Sequence, residues 1–342
     1  MQAARTRRPT QADVARIANV SQAVVSYVLN GEPSRSVATE TRRRVLAAVE
    51  ELGYVPDRTA RNLRQRRTFT IAGVIPDITN PFYPAFERGV QDVADSHGYD
   101  LVTYNTDGMR EKELRAVRSV REGRLDGVVL TTFHLGLDEV LPLVQDGVTV
   151  VVNGEPGFDP VVAGLDQVRI DNVAAAESIV NFLLDRGHTR IGMIAGVEGT
   201  HPREGRVQGY TRALANHHIP IDPIMVRSAE FSVAGGYAAA DDLLRLSPRP
   251  TAVFAANDLM AMGALMRLRE ANLRVPQDIA VAGFDDIPAA CLVHPALTTV
   301  AQHPEQLGRR AAEMIVERLG GAHRADARCD VLQYDLIVRE ST

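Results

Sequence analysis

From Thr70 onward, short apolar runs alternate with amphipathic segments, and this rhythm restricts the fold more than any other feature of the chain. "TIAGVI", "YDLVTY", "DGVVLT" and "VTVVVN" each stand next to a helical pattern. Near-continuous apolar strands separated by helices are what a parallel sheet requires, because its crossovers cover both faces. The rhythm then starts again with "RIGMIAG", "IMVRSAE", "TAVFAAND" and "IAVAGFDD". Two open α/β lobes are therefore expected. In the first helix of this region Phe82, Phe86, Val90, Val93 and His97 recur at spacings of three or four, which makes His97 a boundary residue rather than a catalyst.

Open parallel sheets bind ligands beyond the C-terminal ends of their strands. The polar residues placed there are Asp77, Asn153, Asn257-Asp258, Asp285-Asp286 and Gln302. Asp and Asn can pair with neighbouring hydroxyls, and Arg206 in "EGRVQGY" can fork toward adjacent oxygens. Phe231 can cover an apolar ring face, with Phe82 and Tyr83 supplied by the other lobe. Such a set suits a sugar. Asn and Asp also cap helices, so capping is an alternative role for Asn257-Asp258 and Asp285-Asp286, and it can be the sole role of Asp258 and Asp286.

The first 67 residues differ in charge from the rest. They hold 13 arginines, no lysine and six acids, a net of +7, which leaves −12 for the remainder of a chain whose formal charge is −5. A basic head on an acidic body is the footprint of a module that meets polyanions. Thr10-Gln11-Ala12-Asp13 has the form of a helix start, and Val14, Ile17 and Ala18 follow at helical spacing. Ser21 can cap a second helix that turns Val25, Val28 and Leu29 inward and Gln22, Ala23, Ser26 and Tyr27 largely outward. Thr39 or Thr41 can open a third, with Val45, Leu46, Val49 and Leu52 at core spacing and Gly53 as its stop. Two helices joined by a short turn and braced by a third make a helix-turn-helix, whose second helix enters the DNA major groove.

The stretches "ADVARIANVSQAVVSYVLNG" and "ETRRRVLAAVEELGYVPDRTARNLR", followed by "IAGVIPDITNPFYPAFERGVQDVADSHGYDL", "LLDRGHTRIGMIAG", "FAANDLMAMGAL" and "VAGFDDI", resemble the lactose-repressor (LacI) family of bacterial transcription regulators over nearly the whole chain. The resemblance implies a helix-turn-helix head at 8–55, a hinge helix or linker at 56–68 and an effector-binding and dimerisation body at 69–340. That body is similar to periplasmic sugar-binding proteins, with a first lobe at about 69–166 and 302–326 and a second at about 167–301 and 327–340.

By the same resemblance Gln22, Ala23 and Tyr27 read bases, while Ser21, Ser26 and Arg58 contact phosphates and position the module. Ala60 and Leu63 belong to the hinge, with Leu63 as a wedge entering a base step from the minor groove. Three positions depart from the family pattern. Asn19 replaces a frequent Gly, Val24 stands where Thr is usual, and Tyr27 replaces an Arg of the best-known member, so its bidentate guanine contact is lost. The family's effector contacts map onto Arg206, Asn257 and Asp285, with Phe231, Gln302 and Asn153. The implied partners are a near-palindromic double-stranded operator, a second copy of the chain and a small effector, a sugar. A nucleobase or nucleoside is the alternative effector.

Other classes fit less well. A sugar-transport binding protein would share the body, but the basic head takes the place of a secretion signal, and no apolar run reaches the ~18 residues that span a bilayer. A cytoplasmic location is expected. No G-x-S-x-G elbow, phosphate loop or H-E-x-x-H is present, so neither catalysis nor a cofactor is expected. Cys291 and Cys329 lie far from any metal-binding spacing and are expected to be ordinary core residues.

Overall fold

Thr10 starts the first helix with a capping box. The Asp13 N–H bonds Thr10 Oγ1 at 3.4 Å while the Thr10 N–H bonds Asp13 Oδ2 at 2.9 Å, satisfying amides that a helix start leaves open. The computed structural model describes residues 9–30, 37–55, 67–154, 164–322 and 327–342. The chain divides into a head unit, residues 1–67, and a body unit, residues 68–342.

The head contains α1 (Gln11–Ile17), α2 (Gln22–Asn30) and α3 (Thr39–Leu52). Ser21 caps α2, its Oγ 3.4 Å from the Val24 N–H, and Gly53 ends α3 in the left-handed region at φ 57°. The turn between α1 and α2 places Asn19 at φ 51°, and Asn is one of the few non-glycine residues that enter that region readily. The Asn-for-Gly departure is thus accommodated. Val14, Ala15, Ala18, Val25, Val28, Val45 and Ala48 form the core. Ile17 and Leu46 are exposed, contrary to their helical spacing, because three short helices enclose only the centre of each apolar stripe.

The body's first lobe contains β1 (Thr70–Ile75), α4 (Phe82–Ser96), β2 (Asp100–Asn105), α5 (Arg110–Ser119), β3 (Gly127–Leu130), α6 (Leu137–Gln145), β4 (Thr149–Asn153) and β5 (Leu165–Arg169). The second contains α7 (Asn172–Asp185), β6 (Ile191–Ile194), α8 (His201–Asn216), β7 (Val226–Arg227), α9 (Val233–Leu244), β8 (Ala252–Ala255), α10 (Asp258–Glu270) and β9 (Ala280–Ala282). The chain then runs through β10 (Thr299–Ala301), α11 (Pro304–Leu319), β11 (Arg328–Val331) and β12 (Asp335–Ile337). The parallel sheets have the orders β11-β5-β4-β3-β1-β2 and β7-β6-β8-β9, and β10 pairs antiparallel with β12.

One face of the first sheet packs Ile71 and Ile75 against Phe86, Val90 and Ile315, and the other packs Ala72 and Val74 against Val117, Val140 and Leu143. α4 and α11 touch backbone to backbone through two glycines. A Cβ on Gly89 would lie 2.1 Å from the Glu305 carbonyl oxygen, and one on Gly308 would lie 1.9 Å from that of Phe86. Among the described residues no helix is long and apolar enough to cross a membrane.

Two expectations need correction. Residues 327–340 do not all join the second lobe, because β11 pairs parallel with β5, Arg328 opposite Asp166. Asp166 is fully buried and is gripped by Arg318 at 2.5 Å and Arg328 at 2.6 Å. Burial opposes its ionisation, yet the two guanidiniums hold its carboxyl below the usual range. Cys291 and Cys329 are both exposed rather than core residues: Cys291 ends a surface turn, and Cys329 lies on the edge strand β11 with its Sγ 3.1 Å from Gln167 Oε1.

Candidate functional site

The nine residues expected to hold an effector line a single cavity of about 450 Å³. Asp77, Phe82, Tyr83 and Asn153 come from the first lobe, Arg206, Phe231, Asn257 and Asp285 from the second, and Gln302 from the crossover after β10. The placement follows from topology, since each residue sits at or just past a strand's C-terminal end or on a helix that leaves one.

Arg206, on the second turn of α8, is the most constrained of them. Its Nε donates to Asn172 Oδ1 at 3.2 Å and its Nη1 to the Ala256 carbonyl at 2.5 Å, while Cζ lies 4.0 Å from the Phe284 ring centroid. The Nη2 atom is 3.8 Å from Asp285 Oδ1. Stacking and hydrogen bonding thus present the guanidinium as a fixed plate. Asp285 also accepts from Gln302 Nε2 at 2.6 Å. Burial pushes its carboxyl up to about 6, against the opposing pull of Arg206 and Gln302. Its backbone is held at φ 119°, a strained setting of the kind found at ligand clamps.

Asn257 caps α10, its Oδ1 accepting from the Met260 N–H at 2.9 Å, and its Nδ2 lies 3.5 Å from the Phe231 carbonyl at the cavity wall. Asp258 and Asp286, by contrast, are not caps. Asp258 is buried, accepts from Thr299 Oγ1 at 2.6 Å and the Ile287 N–H at 2.9 Å, and burial raises its carboxyl well above the usual range. Asp286 pairs with Arg339 at 2.7 Å. Both acids tie the loop after β9 to the lobe's own framework.

On the first lobe, Asp77 Oδ1 is engaged by the Thr79 N–H and hydroxyl at 2.8 and 2.7 Å, and Asn153 Nδ2 donates to Thr131 Oγ1 at 3.1 Å. Phe82 and Tyr83 meet edge to face at 5.2 Å, and burial raises the Tyr83 phenol. Phe231 rests on Gly196, where a Cβ would lie 2.3 Å from its ring. Its other neighbour is Phe133 of the first lobe, with centroids 5.5 Å apart.

Phe133, Thr131, Thr132, Arg169 and Asn172 also line the cavity, and reading the sequence overlooked them. The strand-end rule that found Asn153 applies equally to Thr131-Thr132 after "DGVVL" and to Asn172 after "DQVRI". Phe133 had no such signal, since an aromatic in a loop carries no period. Carboxylate, carboxamide and guanidinium groups beside aromatic faces can bind a polyhydroxy ring, its hydroxyls on the polar groups and its C–H face on Phe.

In the head, Ser21, Gln22 and Ala23 are exposed, while Ser26 and Tyr27 are half-buried. Arg58, Ala60 and Leu63 lie outside the described residues.

Residues 10–57 match the family of bacterial regulatory proteins, lacI family, and residues 180–342 match the periplasmic binding protein-like domain. The chain is 35% identical over 333 residues to the HTH-type transcriptional repressor CytR of Escherichia coli (strain K12), covering 97% of this chain and 96% of that one. Among solved structures it is similar to the transcriptional regulator CelR–cellobiose complex, at 34% identity and a TM-score of 0.73 over 98% of this chain and 100% of that one. It is also similar to the lac repressor dimer bound to operator and the anti-inducer ONPF, at 25% identity and a TM-score of 0.87 over 98% and 99%.

Proposed function

The chain belongs to the lacI family of bacterial regulatory proteins, and on that premise we propose that it is a transcriptional repressor whose operator affinity is set by a sugar held between the two lobes of its body. The observation that carries this reading is the convergence of Arg206, Asp285, Asn257, Asn153 and Gln302 on one cavity faced by Phe231. The cellobiose named in the CelR complex supports a carbohydrate. The Phe133–Phe231 pair also suits a stacked nucleobase, so nucleosides are the second candidate effectors.

In the head, Gln22 and Ala23 read base edges, Gln by a bidentate bond to adenine and Ala by contact with a thymine methyl. Tyr27 reads a further position, and its phenol cannot reproduce a bidentate guanine contact. Ser21, Ser26 and Arg58 position the module on phosphates, and Ala60 and Leu63 form the minor-groove hinge. Two copies of the chain bind the two halves of a near-palindromic operator. Control is by linkage: the effector shifts the balance between lobe arrangements only as far as it binds them unequally, and operator DNA does the same.

Thermal-shift screening against sugars and nucleosides identifies the effector, and operator binding is then measured with and without it. Arg206→Ala is expected to keep operator binding within about twofold of the parent and to lose the effector response. A normal response in that variant would dispose of the assigned pocket.

A further inference from the structure

We propose that Glu113 is the positioning residue that holds the first lobe's side of the contact across the cleft. Glu113 lies in the first turn of α5 and is fully buried (0% exposed). Its carboxylate serves two backbone amides: the Phe133 N–H donates to Oε1 at 2.7 Å and the His134 N–H to Oε2 at 3.2 Å. A helix N-terminus is a favourable place for such a buried anion.

Those two amides belong to the loop between β3 and α6, and the same loop reaches across the cleft. The Phe133 carbonyl accepts from the His201 N–H at 3.4 Å, His201 Nε2 lies 3.4 Å from the Leu135 carbonyl, and the Phe133 ring faces Phe231. His201 is the first residue of α8, the helix that carries Arg206. Phe133 is therefore held on both sides, with its N–H tied to α5 and its carbonyl tied to the other lobe. A residue tied at both its N–H and its carbonyl has little freedom to rotate. The carboxylate on α5 thereby aims the carbonyl and ring that meet the second lobe. His134 adds a brace inside the first lobe, its Nε2 3.0 Å from the Gly108 carbonyl.

A buried acid that only stabilised the first lobe would change the unfolding midpoint and leave the lobe separation alone. The chain carries its own probes for the difference. Its two cysteines are exposed, Cys291 on the second lobe and Cys329 on the first-lobe strand β11. Spin labels on both, in chains diluted into unlabelled protein, report the distance between lobes by pulsed electron resonance. Glu113→Gln offers one acceptor and turns an NH₂ toward the other amide, so one of the two bonds is lost.

The expected result for full-length Glu113→Gln is a distance distribution with at least a threefold larger open population. Hydrogen exchange at the Phe133 and His134 amides is expected to be at least tenfold faster. A distribution superposable on the parent's overturns the proposal, whatever happens to the unfolding midpoint. Should Glu113→Gln fail to fold, Glu113→Asp, which keeps the charge but falls one methylene short, is held to the same two readouts. The inference rests on the cleft reading only for its bearing on effector binding. No effector enters the experiment, so its failure leaves the sugar proposal standing, and the absence of any sugar response leaves this result intact.

Discussion

At the scale of one residue, Asp285 places a carboxyl in the wall of the cavity at a cost to stability. Burial raises its carboxyl from 3.8 to about 6, and Arg206 and Gln302 recover only part of the cost. Because the folded value lies above the unfolded one, the native state binds the proton more tightly. Its contribution to stability is greatest below pH ~4, declines as pH rises through ~6 and is least above. At ~1.4 kcal/mol per pH unit the ionised residue costs the fold about 3 kcal/mol at neutral pH. Asp285→Asn keeps an oxygen for Gln302 and removes the buried charge. It is expected to flatten the pH dependence of the unfolding midpoint between pH ~4 and ~7, melt no lower than the parent at pH ~8, and lose the effector response. Equal losses of midpoint at pH ~4 and ~8 would count against this account.

At the scale of elements, the turn between α1 and α2 depends on one residue in the left-handed region, Asn19 at φ 51°. A β-branched side chain there brings its Cβ against the following carbonyl, a penalty of roughly 1–2 kcal/mol. Asn19→Val is expected to destabilise the head by about that amount, while Asn19→Gly stays within about 0.5 kcal/mol of the parent because glycine has no such clash. Calorimetry of the head transition in the full chain checks both. An Asn19→Val head as stable as the parent would mean that the turn takes another conformation. The body's cleft likewise relies on a small residue, since Gly196 at φ 89° leaves room for the Phe231 ring.

The whole molecule separates two kinds of recognition. The head carries +7 and the remainder −12, so nonspecific, salt-dependent attraction to DNA belongs to the head. On the wedge reading, Leu63→Ala is expected to lose most of its preference for operator over random DNA, at least tenfold in a gel-shift titration. Nonspecific affinity and its salt slope should stay near the parent's. Unchanged operator affinity would exclude Leu63 as a minor-groove wedge.

Much of this molecule is legible in its sequence because local patterns report local physics. The capping signal at Thr10, the stop at Gly53 and the alternation of apolar runs with amphipathic helices all record how a residue is buried within its own element. The polar strand ends then pointed to the cavity, because a parallel sheet sends all its C-terminal ends one way. What the sequence left open depends on which elements become neighbours. Only the fold brings Arg318 and Arg328 onto Asp166 and so carries β11 into the first lobe, leaving Cys329 exposed on that edge. Only the fold sets Phe133 against Phe231 and under Glu113. These partners are distant in the chain, and no periodicity links residues whose proximity arises from the packing of separate elements.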